Sequence, residues 1–305
     1  GSGSWSVRPG TEGLGGFARG LVNPWGLAFD HWGRGFGTDG AGGSGPHDVF
    51  PGSAFGTAVG APRVLGGLIP GKPKNTAAEF MSGRHIPTHW QGSMLANDFR
   101  ANRTVRYQLE ENGSGFKAKE VETVLHSSHR SFRPVDIKMG PDGAIYVVDW
   151  YNPIIDHGEV DFHHPLRDKS HGRIWRLTVR DRELVERPEI AEATIGELLH
   201  HLKAPEQYTR TQANRELVER GISAAVVDGM VGHLQADDPS FDHHRLEALW
   251  LSTALNHTPA DGLLQLLTVA DPRIRAAAVR TVGRTTAGLT QLAIAVEDEH
   301  PRVRL

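Results

Sequence analysis

One sixteen-residue unit occurs twice without a gap, and this repeat constrains the fold more than any other feature of the 305 residues. Pro24-Trp-Gly-Leu-Ala-Phe-Asp-His-Trp-Gly-Arg-Gly-Phe-Gly-Thr-Asp39 aligns on Pro134-Val-Asp-Ile-Lys-Met-Gly-Pro-Asp-Gly-Ala-Ile-Tyr-Val-Val-Asp149, with the proline, the turn glycine (Gly33, Gly143) and the final aspartate coinciding. A weaker copy, Gly92-Ser-Met-Leu-Ala-Asn-Asp98, keeps the six-residue step from turn glycine to aspartate, so the turn glycines stand 59 and 51 residues apart. Apolar alternation at Leu27 and Phe29, or at Ile137 and Met139, then a turn such as Gly140-Pro-Asp-Gly143, then Ile145-Tyr-Val-Val148, reads as a hairpin. Hairpins recurring at this interval, extended by strands near 104–108 and 173–177, predict four-stranded β-propeller blades. Only about three blades fit before residue 180, whereas propellers typically close with four to eight. The expectation is a partial propeller over residues 5–180, in a fragment lacking upstream blades and an initiator methionine.

The composition changes near residue 180. Before it lie 29 of the 36 glycines and six of the seven tryptophans, and after it 17 alanines and 17 leucines. A second repeat begins there, with Arg210, Arg245, Arg275 and Arg304 opening similar motifs at steps of 35, 30 and 29 residues. Asp271-Pro272 and His300-Pro301 precede two of these arginines, and amphipathic segments at 195–202 and 262–267 complete helical pairs. Such pairs stack because one pair alone cannot bury its apolar face. The pattern predicts a HEAT-like α-solenoid over residues 190–305, cut inside its fourth copy, with a surface suited to a protein partner. The predicted class is therefore multidomain β + α. The repeated arginines read most simply as capping or pairing groups within each helical unit.

Several functions are excluded by composition. The net charge is -3, and no basic block of the kind that neutralises phosphates is present, so nucleic acid is not expected as a partner. No stretch approaches the ~18 apolar residues of a membrane span, and no leader is visible in this sequence. Cysteine is absent, which excludes disulfides, thiolate zinc and covalent CxxCH haem within these residues. The glycine-rich segment 33–45 lacks the Gly-Lys-Ser/Thr of a phosphate loop, and no Gly-x-Ser-x-Gly elbow occurs.

The densest polar segment runs from Asp149 to His171, with four Asp, one Glu and four His among 23 residues in a long inter-strand loop. Long loops in compact domains are commonly functional. A metal site drawing on Asp149, Asp156, Glu159 and Asp161 or the histidines is one reading. The other is a loop folded over the β unit, with Trp150, Tyr151 and Phe162 beneath it and its charges paired to Arg167. Aromatic rings beside carboxylates also suit a sugar. Asp39, Asp98 and Asp149 end equivalent strands, and such repetition fits scaffold residues that accept backbone N–H bonds, or else a ring of carboxylates around a hard cation.

The run Ser131-Phe-Arg-Pro-Val-Asp-Ile-Lys-Met-Gly-Pro-Asp-Gly-Ala-Ile-Tyr-Val-Val-Asp-Trp-Tyr-Asn-Pro-Ile-Ile-Asp-His-Gly-Glu159 resembles the PVC-type membrane-bound dehydrogenase family of planctomycetes and verrucomicrobia. Ser82-Gly-Arg-His-Ile-Pro, Trp90-Gln-Gly-Ser-Met-Leu-Ala-Asn-Asp-Phe-Arg100 and His171-Gly-Arg-Ile-Trp-Arg176 extend the resemblance over roughly residues 5–180. That family joins a propeller, similar to soluble quinoprotein sugar dehydrogenases, to HEAT-like repeats and often to a c-type cytochrome domain. The resemblance implies oxidation of a sugar or alcohol hydroxyl, with electrons passed to a quinone or haem acceptor, in an extracytoplasmic or periplasmic setting. It also implies pyrroloquinoline quinone and Ca2+ as cofactors, and a cytochrome domain as a protein partner.

Quinone-dependent oxidation needs a base for the hydroxyl proton and cations for the cofactor's carboxylates. The residue types at hand are His85 or His89 as base, and Arg84, Arg100, Arg133 and Asn152 as cofactor ligands. The plainer alternatives are hydrogen-bonding loop histidines and structural salt bridges. A reading from a different class is a non-catalytic carbohydrate-binding module or protein-interaction scaffold.

Overall fold

The computed structural model describes every residue except 1, 8–13, 42–44, 57–61, 63, 72, 157, 258, 260, 284–292 and 294. Among the described residues the chain is mixed β and α, with thirteen strands in four small sheets followed by six α-helices. It divides into two compact units, one of Gly1–Glu111 with Phe116–Leu184 and one of Asn112–Gly115 with Val185–Leu305.

In the first unit the repeated hairpins form where the sequence pattern places them. β1 (Ser2–Val7), β2 (Leu14–Leu21) and β6 (Ser53–Ala54) make one sheet, and β3 (Pro24–Phe29), β4 (Gly35–Asp39) and β5 (His47–Val49) make the next. β7 (Asn75–Phe80), β8 (Met94–Asp98), β9 (Arg103–Asn112) and β10 (Gly115–His126) form a four-stranded sheet in sequence order. β11 (Pro134–Met139), β12 (Ile145–Asp149) and β13 (Arg173–Leu177) form the last, paired antiparallel throughout. The turn glycines Gly33, Gly92 and Gly143 have φ of 68°, 72° and 78°, a region from which side-chain sterics exclude most other residues. That shared constraint explains why glycine recurs at this point of each copy.

The aspartates ending β4, β8 and β12 lie at equivalent places. In each copy the residue after the aspartate donates its N–H to the residue before the first strand: Gly40 to Asn23 O at 2.9 Å, Phe99 to Lys74 O at 3.2 Å, and Trp150 to Arg133 O at 2.9 Å. The first strands lie side by side, β3 against β7 and β7 against β11. Thr38 Oγ1 donates to Thr76 O and Thr76 Oγ1 to Pro134 O, both at 3.0 Å, which links three successive sheets. Gly26 permits this approach, since a Cβ there would stand 2.9 Å from Ala77 Cα.

Alternation along β7 lets its sheet bury both faces. Ala78 and Phe80 pack with Ala28 and Phe36 of the preceding sheet, while Ala77 and Leu95 pack with Ile137, Ile145 and Val147 of the following one. The expectation of four strands per sheet is corrected: among the described residues only the β7–β10 sheet has four. After β5 the chain pairs Ser53–Ala54 in parallel with β2, and after β13 it is tied to His85 instead of returning alongside β13.

In the second unit α1 (Ile195–His201) opens with a capping box, Thr194 and Glu197 satisfying each other's backbone N–H groups. α2 (Gln207–Glu219), α3 (Ala224–Gly232), α4 (Phe241–Ala254), α5 (Asp261–Leu264) and α6 (Pro272–Val282) follow. Three of the four repeated arginines share one task. Arg210 donates to Ala204 O and Pro205 O, Arg275 to Val269 O and Ala270 O, and Arg304 to Asp298 O and Glu299 O. Each guanidinium thus ties down carbonyls six and five residues earlier. Arg210 also holds buried Glu247 at 2.7 Å, and Arg275 holds Asp298 at 2.7 Å. Arg245 departs from the pattern by reaching forward to Gly262 O and Gln265.

Candidate functional site

Asp149 is a buried hub. Its Oδ1 accepts N–H bonds from Arg133 at 2.8 Å and Tyr151 at 2.9 Å, and its Oδ2 accepts from Arg173 Nε at 3.1 Å and Trp175 Nε1 at 3.2 Å. Asp39 does the same work in the earlier copy, accepting from the N–H groups of Val22, Asn23 and Ala41 at 2.9–3.0 Å. Asp98 holds more loosely, with Ala101 N at 3.4 Å and Arg103 Nε at 3.8 Å. The repeated aspartates therefore fix the turn beyond each second strand.

The expected base His85 is buried and fully engaged. Its Nε2 accepts the N–H of Val179 at 2.9 Å, which leaves Nδ1 protonated to donate to Glu183 O at 2.9 Å. Arg182 also donates to the carbonyls of His85 and Arg84. His85 thereby stitches the segment after β13 to the β7–β8 connection, with both ring nitrogens engaged by backbone groups. His89 is exposed in a 3-10 turn at Thr88–Trp90, and its carbonyl accepts from Arg106 at 3.3 Å.

Of the residues expected to hold a quinone cofactor, Arg133 is buried with its guanidinium on three carbonyls, those of Asn152 at 3.1 Å, Phe99 at 3.0 Å and Arg100 at 3.3 Å. Burial, with Arg130 adding to it and Asp149 opposing, lowers its pKa. Asn152 is buried too, its amide donating to Asp168 O and accepting from Ile154 N. Arg84 and Arg100 are exposed on separate turns, after β7 and after β8. Because Arg133 and Asn152 would have to give up internal bonds to take a cofactor carboxylate, this set does not fit pyrroloquinoline quinone.

The β12–β13 loop bears a different constellation. Tyr151 adopts φ 55°, an unfavourable backbone for an aromatic residue. His129 stacks on its ring at 5.6 Å and 10°, and the Arg173 guanidinium lies 4.0 Å from its centroid. His171 meets the ring edge-on at 5.8 Å. The imidazole Nδ1 of His171 is 2.8 Å from Asp168 Oδ2, while Asp168 Oδ1 accepts the N–H groups of Ser170 at 3.0 Å and His171 at 2.8 Å. These bonds, the Ser170 N–H first and the His171 imidazole next, hold the Asp168 pKa below the ordinary carboxylate value. With Nδ1–H directed at the carboxylate, Nε2 is the ring's acceptor, the orientation a general base requires.

Asp168 of this pair, though not His171, lines a cleft of about 520 Å3 together with Ser131, Tyr151, Pro153, His164, Pro165, Leu166, Arg167, Lys169 and Ser170. Arg167 is held by the carbonyls of Asp156, Val160 and Asp161. The proposed metal ligands Asp156, Glu159 and Asp161 are exposed, Asp149 is engaged as above, and His157 lies outside the described residues. Among the described residues no group of three or more His, Asp or Glu side chains converges as a metal site would require. His171 and Asp168 were legible in sequence only as an Asp-x-x-His spacing within a polar loop, and His129 carried no signal at all.

A family model described as a domain of unknown function, DUF7133, matches residues 74–181. No curated protein matches the chain. Among solved structures, the chain is similar to an oxidoreductase described as a glucose dehydrogenase from Thermus thermophilus, at 24% identity and TM-score 0.36 over 48% of this chain and 44% of that one. It is also similar to a glucose dehydrogenase at 24% identity and TM-score 0.35, over 47% of each chain. A third is the PQQ-bound aldose sugar dehydrogenase of Streptomyces coelicolor, at 18% identity and TM-score 0.35 over 48% of this chain and 42% of that one. The chain thus spans less than half the length of these structures. No helix among the described residues is long and apolar enough to cross a membrane.

Proposed function

We propose that residues 5–180 are part of a dehydrogenase-like β-propeller that takes a sugar or polyol at the β12–β13 cleft and oxidises one of its hydroxyls. The observation that carries this reading is the His171–Asp168 pair at 2.8 Å, whose aspartate lines that cleft. In this reading His171 Nε2 accepts the hydroxyl proton and Asp168 holds the ring in the required tautomer. Lys169 and the hydroxyls of Tyr151 and Ser170 bind and orient the remaining polar groups. The electrons leave to a quinone or haem acceptor held by groups other than Arg84, Arg100, Arg133 and Asn152. The repeated hairpins and the side-by-side first strands support the propeller, and the resemblance carried by residues 131–159 supports hydroxyl oxidation outside the cytoplasm.

Residues 190–305 serve, in the same proposal, as a HEAT-like surface for a protein partner such as a c-type cytochrome domain. The recurrent arginine ties to carbonyls five and six residues back support a repeat architecture there. The test is dye-linked oxidation of aldoses and polyols by the 305-residue chain, with and without added Ca2+ and pyrroloquinoline quinone. Turnover that falls in His171→Ala supports the enzyme. Saturable sugar binding without turnover supports instead the carbohydrate-binding module, a reading favoured by the internal engagement of His85 and Arg133.

A further inference from the structure

We infer that the outer edge of β13 docks an extended segment of another polypeptide carrying a Glu-x-Glu pattern, which adds to the β11–β13 sheet as an acidic fourth strand. The template for this lies within the molecule. β9 faces β8 with Arg103 opposite Asp98 and Arg106 opposite Leu95, and β13 faces β12 with Arg173 opposite Asp149 and Arg176 opposite Tyr146. Asp98 and Asp149 end the second strands of their copies, so both arginines recur at the same places on the two third strands. Beyond β9 a fourth strand follows, β10, which brings Glu120 to 2.7 Å from Arg103 and Glu122 to 2.7 Å from Arg106. Beyond β13, among the described residues, no strand follows.

An open edge directs N–H and C=O groups of alternate residues outward, where an added strand can pair with them. Among the described residues, β12 alone makes backbone hydrogen bonds with Arg173–Leu177. Ile174 and Trp175 are 70% and 39% exposed, whereas Thr104 and Val105, at the matching places of β9, are buried. The arginines also keep donors to spare, because a guanidinium carries more N–H groups than one carboxylate takes. Arg173 gives its Nε to Asp149, and Arg176 gives Nε and Nη2 to Asp142, so each retains N–H groups for a second carboxylate. Arg103 shows that double use, with Asp98 at 3.8 Å on one side and Glu120 at 2.7 Å on the other. Edge and charge therefore select the same partner, a strand with glutamates where β10 has them.

The test is fluorescence anisotropy of a labelled synthetic peptide with the β10 sequence, residues 115–126, titrated with the 305-residue chain. Saturable binding is expected, and the peptide with both glutamates changed to glutamine is expected to bind about tenfold more weakly, the gap closing as salt screens the exposed pairs. Arg176→Gln in the protein, at a side chain 44% exposed, is expected to remove most of the difference between the two peptides while circular dichroism shows the chain still folded. Absence of saturable binding overturns the inference, as does equal affinity for the two peptides. Loss of binding in Arg103→Gln with Arg176→Gln unaffected means that the peptide exchanges with β10 on β9, which also overturns it. Sedimentation velocity is run alongside: a dimer that the peptide leaves intact gives the edge to a second copy of the chain and overturns it as well.

Discussion

His171 and Asp168 stand three residues apart in one loop, with Nδ1 2.8 Å from Oδ2 and the His171 backbone N–H on the other carboxylate oxygen at 2.8 Å. One aspartate thus fixes both the backbone and the ring of the same histidine. If this pair handles the substrate proton, His171→Ala lowers kcat by about 100-fold or more, the usual contribution of a positioned base. Asp168→Asn lowers kcat less and changes the acid limb of its pH profile, because the ring loses its orienting partner. Steady-state kinetics across about pH 5–9 check both, and an unchanged profile in Asp168→Asn argues against the positioning role.

Asp149 and Asp98 occupy equivalent strand ends but not equivalent bonding. Asp149→Ala removes an acceptor from four donors, one of them fully buried, and about 3 kcal/mol of stability is expected to go with it. Asp98→Ala, whose contacts are at 3.4 Å and 3.8 Å, is expected to cost no more than about 1 kcal/mol. Urea unfolding followed by tryptophan fluorescence measures the difference.

Arg210 and Glu247 form a buried pair at 2.7 Å, with side chains 4% and 7% exposed. Burial raises the Glu247 pKa, and Arg210 opposes that rise. Removing only the cation, in Arg210→Ala, strands the carboxylate and two carbonyls, at an expected cost of about 3–5 kcal/mol. The double change Arg210→Met with Glu247→Leu is expected to recover most of that loss. Far-UV circular dichroism melts distinguish the two variants.

His244 predicts how the helical unit responds to acid. Burial lowers its pKa from 6.5, Lys203 and Arg210 add to the lowering, and Asp238 at 3.5 Å opposes it. The neutral ring is therefore the form the fold prefers. Its contribution is fully present above the unfolded value of about 6.5 and is lost as pH falls through the lower folded value. Glu247, raised by burial, works in the opposite direction, so the comparison must isolate His244. His244→Gln should flatten the decline in melting temperature between about pH 6.5 and pH 5; an equal decline in both proteins counts against the assignment.

What the sequence alone determined is local. The period-two apolar pattern, the positive-φ glycines 33, 92 and 143 and the aspartates six residues beyond them act over a few residues, so β3–β4 and β11–β12 were legible in the chain. Arg210, Arg275 and Arg304 were legible as a repeat for the same reason, since each binds carbonyls five and six residues back. The tertiary structure decided which side chains remain available for chemistry. Whether His85 is a base depends on Val179 and Glu183, more than ninety residues away, which take both ring nitrogens. Tyr151 is enclosed by His129 and Arg173, from opposite sides of its own hairpin in sequence, and Arg133 is spent on three carbonyls of two separate segments. A residue type states which proton or charge a side chain can offer. Long-range hydrogen bonds decide whether that capacity is already used.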